Sequence, residues 1–158
     1  MKQTLVILFI IFLVGIDQIS KFLISAQLNL GESFNILPFL SFTLIHNTGI
    51  AFSIFDDGGV FSRWLLVMCV FLILIYMFFL LFKKAPKHLL ELISLLLIIS
   101  GGLGNLIDRI FLGHVVDFVH MFYKHYSFYV FNFADSYITI GIFIYLIYFF
   151  IVQSREKS

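Results

Sequence analysis

The residues able to do chemistry are the few polar side chains set in or beside long apolar runs. Asp117 sits between Val115-Val116 and Phe118-Val119, and Asp135 follows Phe131-Asn132-Phe133-Ala134 at the start of another apolar run. Two carboxyls brought close together share a proton, so that one acts as a base on water while the other acts as an acid. That is the chemistry of an aspartic peptidase. The soluble signature Asp-Thr/Ser-Gly is absent, because Tyr137 follows Asp135-Ser136. Each acid also has a plainer reading. Asn132 with Asp135 three residues on has the form of a helix capping box with Asp in place of Glu, and Asp117 reads as a loop carboxylate.

A second constellation is Gly101-Gly102-Leu103-Gly104-Asn105-Leu106-Ile107-Asp108-Arg109. On a helix Gly101, Gly104, Asn105 and Asp108 fall at i, i+3, i+4 and i+7, on one face. Small residues there admit a neighbouring helix, and Asn and Asp bond across the seam. Arg109 lies one turn beyond Asn105. A packing seam with polar glue and a functional site account equally well for this stretch. Asp17 and Lys21 stand at i and i+4, the spacing of an ion pair, and a scaffolding role beside a site is expected for them.

Other chemistries fit less well. Asp108, His114, Asp117, His120 and His125 are the candidate metal ligands, but no HExxH occurs and histidines strung along a loop are a weak signal, so no metal and no cofactor are expected. Ser20 and Lys21 are adjacent and cannot face each other on a helix. Ser25 with Lys21 has workable spacing and no further support. Cys69, the sole cysteine, lies inside an apolar run, where its thiolate is disfavoured, and reads as filler. No Gly-Lys-Ser phosphate loop or Gly-x-Ser-x-Gly elbow is present.

The elements that must position these groups are four apolar segments, at about residues 4–26, 64–82, 89–107 and 136–152. Each approaches the roughly 20 residues needed to cross a bilayer. The second and fourth carry no charge. The first could be read as a cleaved signal peptide, but it is long and carries Asp17 and Lys21 after its apolar stretch, so it is expected to be retained. Composition agrees with membrane residence: of 158 residues, 61% are hydrophobic, 22 are Phe and only 12% are charged, and mean hydropathy is +1.08. A soluble domain carries about 25% charge. The net charge of +1 gives no sign of a nucleic-acid partner.

Four crossings place both termini on one side. Lys2, Lys83, Lys84, Lys87, Arg155 and Lys157 then face Lys21, Arg63, Arg109 and Lys124, six bases against four. The positive-inside rule puts the termini in the cytoplasm and the loops 28–63 and 110–134 outside. Partial alternation in Phe39-Leu-Ser-Phe-Thr-Leu-Ile45 reads as a short strand. The expected fold is a single all-α membrane domain over residues 1–158, with four transmembrane helices and a small β-containing extracytoplasmic segment between the first and second. A small transporter or proton channel is the rival, since intramembrane Asp and Arg also mark ion pathways. The polar residues cluster toward one side, which favours an interfacial enzyme.

Five blocks, in order, resemble the bacterial lipoprotein signal peptidases (signal peptidase II). They are Asp17 with Lys21, Asn47-x-Gly49-x-Ala51-Phe52, the glycine-rich stretch through Asn105, Asp108 and Arg109, Gly113-x-Val115-Val116-Asp117-Phe118, and Phe131-Asn132-x-Ala134-Asp135. The resemblance implies an intramembrane aspartic endopeptidase that removes the signal peptide of diacylglyceryl-modified prolipoproteins before the lipidated cysteine. It implies Asp117 and Asp135 as the catalytic pair, Asn47, Asn105, Arg109 and Asn132 as lining or ordering the site, and Asp17, Lys21 and Asp108 as supporting it. It further implies residence in the bacterial cytoplasmic membrane, an active site near the outer face, partners limited to prolipoproteins and membrane lipids, and a monomer. One departure is Tyr129, where the family often has proline two residues before Phe131-Asn132.

Overall fold

In a computed structural model, residues 3–49, 60–86 and 88–153 are described. Lys2, Ala51, Phe52, Asp56, Asp57, Lys87, Arg155 and Lys157, each part of the reading above or of the controls below, lie outside the described residues.

The chain runs α1 (Gln3–Gln27), β1 (Ser33–Leu37), β2 (Leu40–Asn47), α2 (Val60–Phe79, continued by a π-turn over Leu80–Lys84), α3 (Leu89–Phe111), β3 (Val115–Tyr123), β4 (Tyr126–Ser127) and α4 (Phe133–Ile147, continued by a π-turn over Tyr148–Gln153). Among the described residues four helices are long and apolar enough to span a membrane. The third runs past residue 107 to Phe111 because its polar residues have partners inside the protein and need not end it.

Helix α3 is the centre. It buries Leu95, Leu96, Ile99 and Leu106 with Val6 and Ile10 of α1 and Val67 and Leu74 of α2. Leu8 and Phe12 of α1, Phe71 and Ile75 of α2 and Phe143 of α4 stay exposed. Such faces suit lipid, which has no polar groups to offer and removes the hydrophobic drive between helices. Close packing must then hold the bundle, and glycine provides it. A Cβ on Gly101 would collide with the Ala134 carbonyl oxygen of α4, and one on Gly104 would stand 2.6 Å from Asp17 Oδ2. Gly104→Ala is therefore expected to push the Asp17 carboxylate aside and to cost about 1–3 kcal/mol by overpacking. Unfolding in detergent, compared with wild type, checks it.

The extramembrane part is more ordered than its sequence indicates. It forms an antiparallel four-stranded sheet, order β1-β2-β3-β4, and two of its strands come from the segment between α3 and α4. Strand β3 is buried on both faces over Val115–Val119, so its apolar run does not alternate and carries no period-2 signal. Asp117 is thus a strand residue, opposite Ile45 of β2, and not a loop carboxylate. Ile24 of α1 packs with Leu44, Val116, Phe118 and Val119, which seats the sheet on the helices. Phe118 meets Phe42 and Phe133 edge to face, at 5.7 and 5.4 Å between ring centres.

Candidate active site

Three joints bring the polar residues together. Phe131 pairs with Val119 as an isolated bridge, its carbonyl accepting from the Phe118 and Val119 amides. That fixes Asn132 beside Asp117. Asn132 then caps α4: its side chain accepts from the Asp135 amide at 2.8 Å, and Asp135 Oδ2 accepts from the Asn132 amide at 3.2 Å. The capping box read from the sequence is present, and it orients Asp135. The third joint is the close α3–α4 seam at Gly101 and Gly104, which lays Asn105 alongside Asp135.

Within this frame Asp117 and Asp135 are linked through one residue. Asn132 Nδ2 donates to Asp117 Oδ1 at 2.6 Å while its own amide holds Asp135. Asn47, at the end of β2, donates to Asp117 Oδ2 at 2.9 Å, and Asn105 donates to Asp135 Oδ1 at 2.7 Å. Each of the four carboxyl oxygens therefore accepts from an N–H. Burial pushes the Asp117 carboxyl up to about 6, helped by the like charge of Asp135 and opposed by the hydrogen bonds from Asn47 and Asn132 and by Lys21. Capping and acid–base work are not exclusive at Asp135. The cap is what aims it.

Beneath the pair lies a buried ion cluster. Lys21 Nζ meets Asp17 at 2.8 Å and Asp108 at 2.9 Å, and donates to Asn105 Oδ1 at 3.0 Å. The three charged side chains are 3%, 0% and 2% exposed, so the cluster is sealed from water. Each carboxylate also grips backbone next to one of the two paired acids. Asp17 Oδ1 accepts from the Ala134 amide at 2.9 Å and Asp108 Oδ2 from the Val116 amide at 3.1 Å. Ala134 precedes Asp135 and Val116 precedes Asp117. The Ala134 amide is one of the orphan donors of the α4 N-terminus, where an anion is favoured.

Arg109 is half-buried at the end of α3, within electrostatic reach of Asp117, Asp135 and Asp108. Its Nη1 donates to the Asn105 carbonyl at 3.3 Å, while its buried Nε has no hydrogen-bond partner among the described residues. Its guanidinium flanks Gly49, where a Cβ would lie 3.7 Å from Nη2. Arg109→Lys is expected to cut turnover of folded protein at least about tenfold, since a point charge cannot replace a planar fork of donors. Near-normal turnover of that variant would show that charge alone matters.

A cavity of about 550 Å³ opens at Asp117, lined by Asn47, Thr48 and Gly49 on one side and Tyr129 and Val130 on the other. His46 on its rim stacks on His114, with ring centres 3.8 Å apart. Burial, with the neighbouring His46, holds the His114 ring below the usual imidazole range. The other sequence candidates go elsewhere. His120 bonds Ser127 at 2.7 Å, and no three His, Cys, Asp or Glu among the described residues converge as metal ligands. Ser20 donates to the Asp17 carbonyl at 2.7 Å. Lys21, held by three partners, is not free to serve Ser25.

Sequence reasoning passed over Gln18, whose amide touches both carboxylates of the ion cluster. An uncharged amide inside an apolar span was the available signal, obscured by the Asp17–Lys21 pair around it.

The fold and site define a multi-pass membrane protein whose acids are gathered at one end of a helix bundle under a small sheet. A family model described as signal peptidase (SPase) II, Peptidase_A8, matches residues 9–151. A lipoprotein signal peptidase of Acinetobacter baumannii (strain ATCC 17978) is 42% identical over 144 residues, 90% of this chain and 82% of that protein. One from Streptococcus pyogenes serotype M1 is 40% identical over 148 residues, 93% of each. A bacterial membrane enzyme solved by the in meso method at 1.9 Å shares the fold with TM-score 0.84 and 33% identity over 94% of both chains. A second, at 2.3 Å, has TM-score 0.80 and 32% identity, covering 98% of this chain and 92% of its own. The chain belongs to the signal peptidase II family and is a membrane-embedded aspartic peptidase of that type.

Proposed function

We propose that the chain cleaves diacylglyceryl-modified prolipoproteins immediately before the lipidated cysteine, with Asp117 and Asp135 as its acid–base pair. The observation that carries this reading is the shared clamp of Asn132, which holds one oxygen of each acid. One carboxylate takes a proton from water as the water attacks the scissile carbonyl, while the protonated partner donates its proton to the carbonyl oxygen. As the C–N bond breaks, the first acid passes the proton it took from water to the departing amine, and the partner recovers its own from the hydroxyl of the tetrahedral intermediate. The burial that pushes Asp117 up to about 6 suits it to carry the shared proton. Arg109 and Asn47 would bind the peptide beside the pair, and membrane lipids would bring the substrate to it by lateral diffusion.

In this reading the chain sits in the bacterial cytoplasmic membrane as a monomer, both termini cytoplasmic and the sheet outside. Asp117 lies on β3, which follows the C-terminal end of α3, and Asp135 at the N-terminal end of α4, both at one end of the bundle, which is where a lipid-anchored signal peptide would present its cleavage point. Purified protein given matched lipidated and unlipidated prolipoprotein is expected to release the signal peptide only from the lipidated form. Equal turnover of the two would overturn the lipid requirement, and no release from either would overturn the assignment.

A further inference from the structure

We propose that Gln18 is a positioning residue for the acid pair: its carboxamide holds the Asp108 carboxylate in the orientation that fixes Val116, and with it Asp117. The proposal rests on the acid-pair reading above.

Gln18 follows Asp17 on α1 and reaches across to α3. Its Nε2 donates to Asp108 Oδ1 at 2.9 Å, to the Gly104 carbonyl at 3.1 Å and to Asp17 Oδ2 at 3.2 Å. The charge balance explains why a donor is needed there. Two carboxylates, Asp17 and Asp108, face one ammonium, and the three hydrogens of Lys21 are taken by Asp17, Asp108 and Asn105. Lys21 has nothing left for Asp108 Oδ1. In a sealed interior an acceptor without a donor is costly, and two unscreened carboxylates repel. Gln18 supplies the missing donor without adding charge and stands between the two acids.

The consequence reaches the reacting group through a short rigid path. Asp108 Oδ2 accepts from both Lys21 and the Val116 amide. Take away the donor on Oδ1, and the carboxylate is free to turn both oxygens toward Lys21, releasing Val116. Val116 is opposite His46 in the β2–β3 ladder and adjacent to Asp117, so a slip there moves Asp117 relative to Asn132 and Asp135. A displacement of about 1 Å in a reacting group can cost on the order of 100-fold in rate.

Two near-isosteric substitutions separate donor from filler. Gln18→Met keeps the volume and removes the donor. Gln18→Glu keeps the shape and donates only when its carboxyl is protonated. The charged and titratable groups around it are Asp17 and Lys21 on α1, Asp108 on α3 and, beyond Asp17, Tyr137 on α4.

The test is steady-state cleavage of a lipidated prolipoprotein by folded, purified variants between about pH 5 and about pH 8, with kcat and KM separated. Gln18→Met is expected to lower kcat by roughly 10–100-fold at every pH with KM little changed. Gln18→Glu is expected to be as poor near pH 8 and to recover several-fold relative to wild type as the pH falls. A ratio of Gln18→Glu to wild type that stays flat with pH overturns the donor role, even if Gln18→Met fails to fold. Variants less stable than wild type but with full kcat per folded molecule would make Gln18 a packing residue and overturn the proposal. Asp117→Asn in the same assay keeps the two readings apart. If it is inactive while the Gln18 variants behave as wild type, only the Gln18 proposal fails, whereas an active Asp117→Asn removes the acid pair itself.

Discussion

Asp117→Asn and Asp135→Asn are each expected to abolish cleavage while the protein still folds and inserts. Loss of general acid–base catalysis alone costs about 10²–10⁴-fold, and losing the activation of water adds to it. The exchange is gentle on structure because asparagine keeps the carbonyl oxygen that accepts from Asn132 at either site. It does turn one acceptor into an NH₂ at each site, beside the Asn47 amide at Asp117 and beside the Asn105 amide at Asp135. A flip of neither asparagine relieves this local mismatch, because Asn47 Oδ1 accepts from the Gly49 amide and Asn105 Oδ1 from Lys21. Asp56→Asn and Asp57→Asn are controls, since those acids match no family block. Single-turnover cleavage with purified variants is the measurement, and near wild-type rate in either dyad variant would sink the aspartic mechanism.

The pH profile carries the same argument further. In the proposed mechanism the two acids share one proton, so the limbs of the kcat/KM profile are expected to give apparent constants of the pair. Asp117 is pushed up to about 6, mostly by burial, so the proton the pair needs is lost as pH rises through that range, which sets the alkaline limb. The hydrogen bond from Asn47 favours the ionised form of Asp117. Asn47→Ala removes it, so the alkaline limb should move to higher pH as the maximum rate falls. A limb that moves down instead would mean that Asp117 does not carry the proton.

What the sequence made legible follows the range over which each feature is encoded. The Asn132/Asp135 capping box and the Asp17–Lys21 pair lie within one helical turn, so spacing alone revealed them. The apolar helices needed only a run of hydrophobic residues. Strand β3 did not show itself because burial on both faces erases alternation, and the run Val115–Val119 reads equally as a helix end. The bonds that build the site were beyond reach for another reason: Lys21 to Asp108, Asp17 to the Ala134 amide and Asp108 to the Val116 amide join residues that only the packed bundle brings together. Two of them end on backbone amides, which have no residue type to read. The glycines of α3 signalled a close approach, but not that Asp17 and the Ala134 carbonyl were what approached.

Lys21→Met should have the largest effect on the folded state. It leaves Asp17 and Asp108 together in a sealed interior with no cation between them, and removal of one partner from a buried ion pair costs about 3–5 kcal/mol. Much of that is the penalty on the abandoned charges, which predicts a specific rescue. Adding Asp17→Asn and Asp108→Asn to Lys21→Met removes the charges too, and with them the penalty of leaving charge buried and unpaired. The triple variant should therefore recover much of the stability that Lys21→Met loses. Activity should not return with it. A neutral amide holds the Ala134 and Val116 amides less strongly than a carboxylate does, and Asn105 no longer receives the Lys21 hydrogen bond that orients it toward Asp135. Thermal unfolding in detergent alongside cleavage of a lipidated prolipoprotein separates the two quantities. If the triple variant cleaves at the wild-type rate, the cluster serves folding alone, and the orientation of the acids comes from Asn132, Asn105 and the sheet without it.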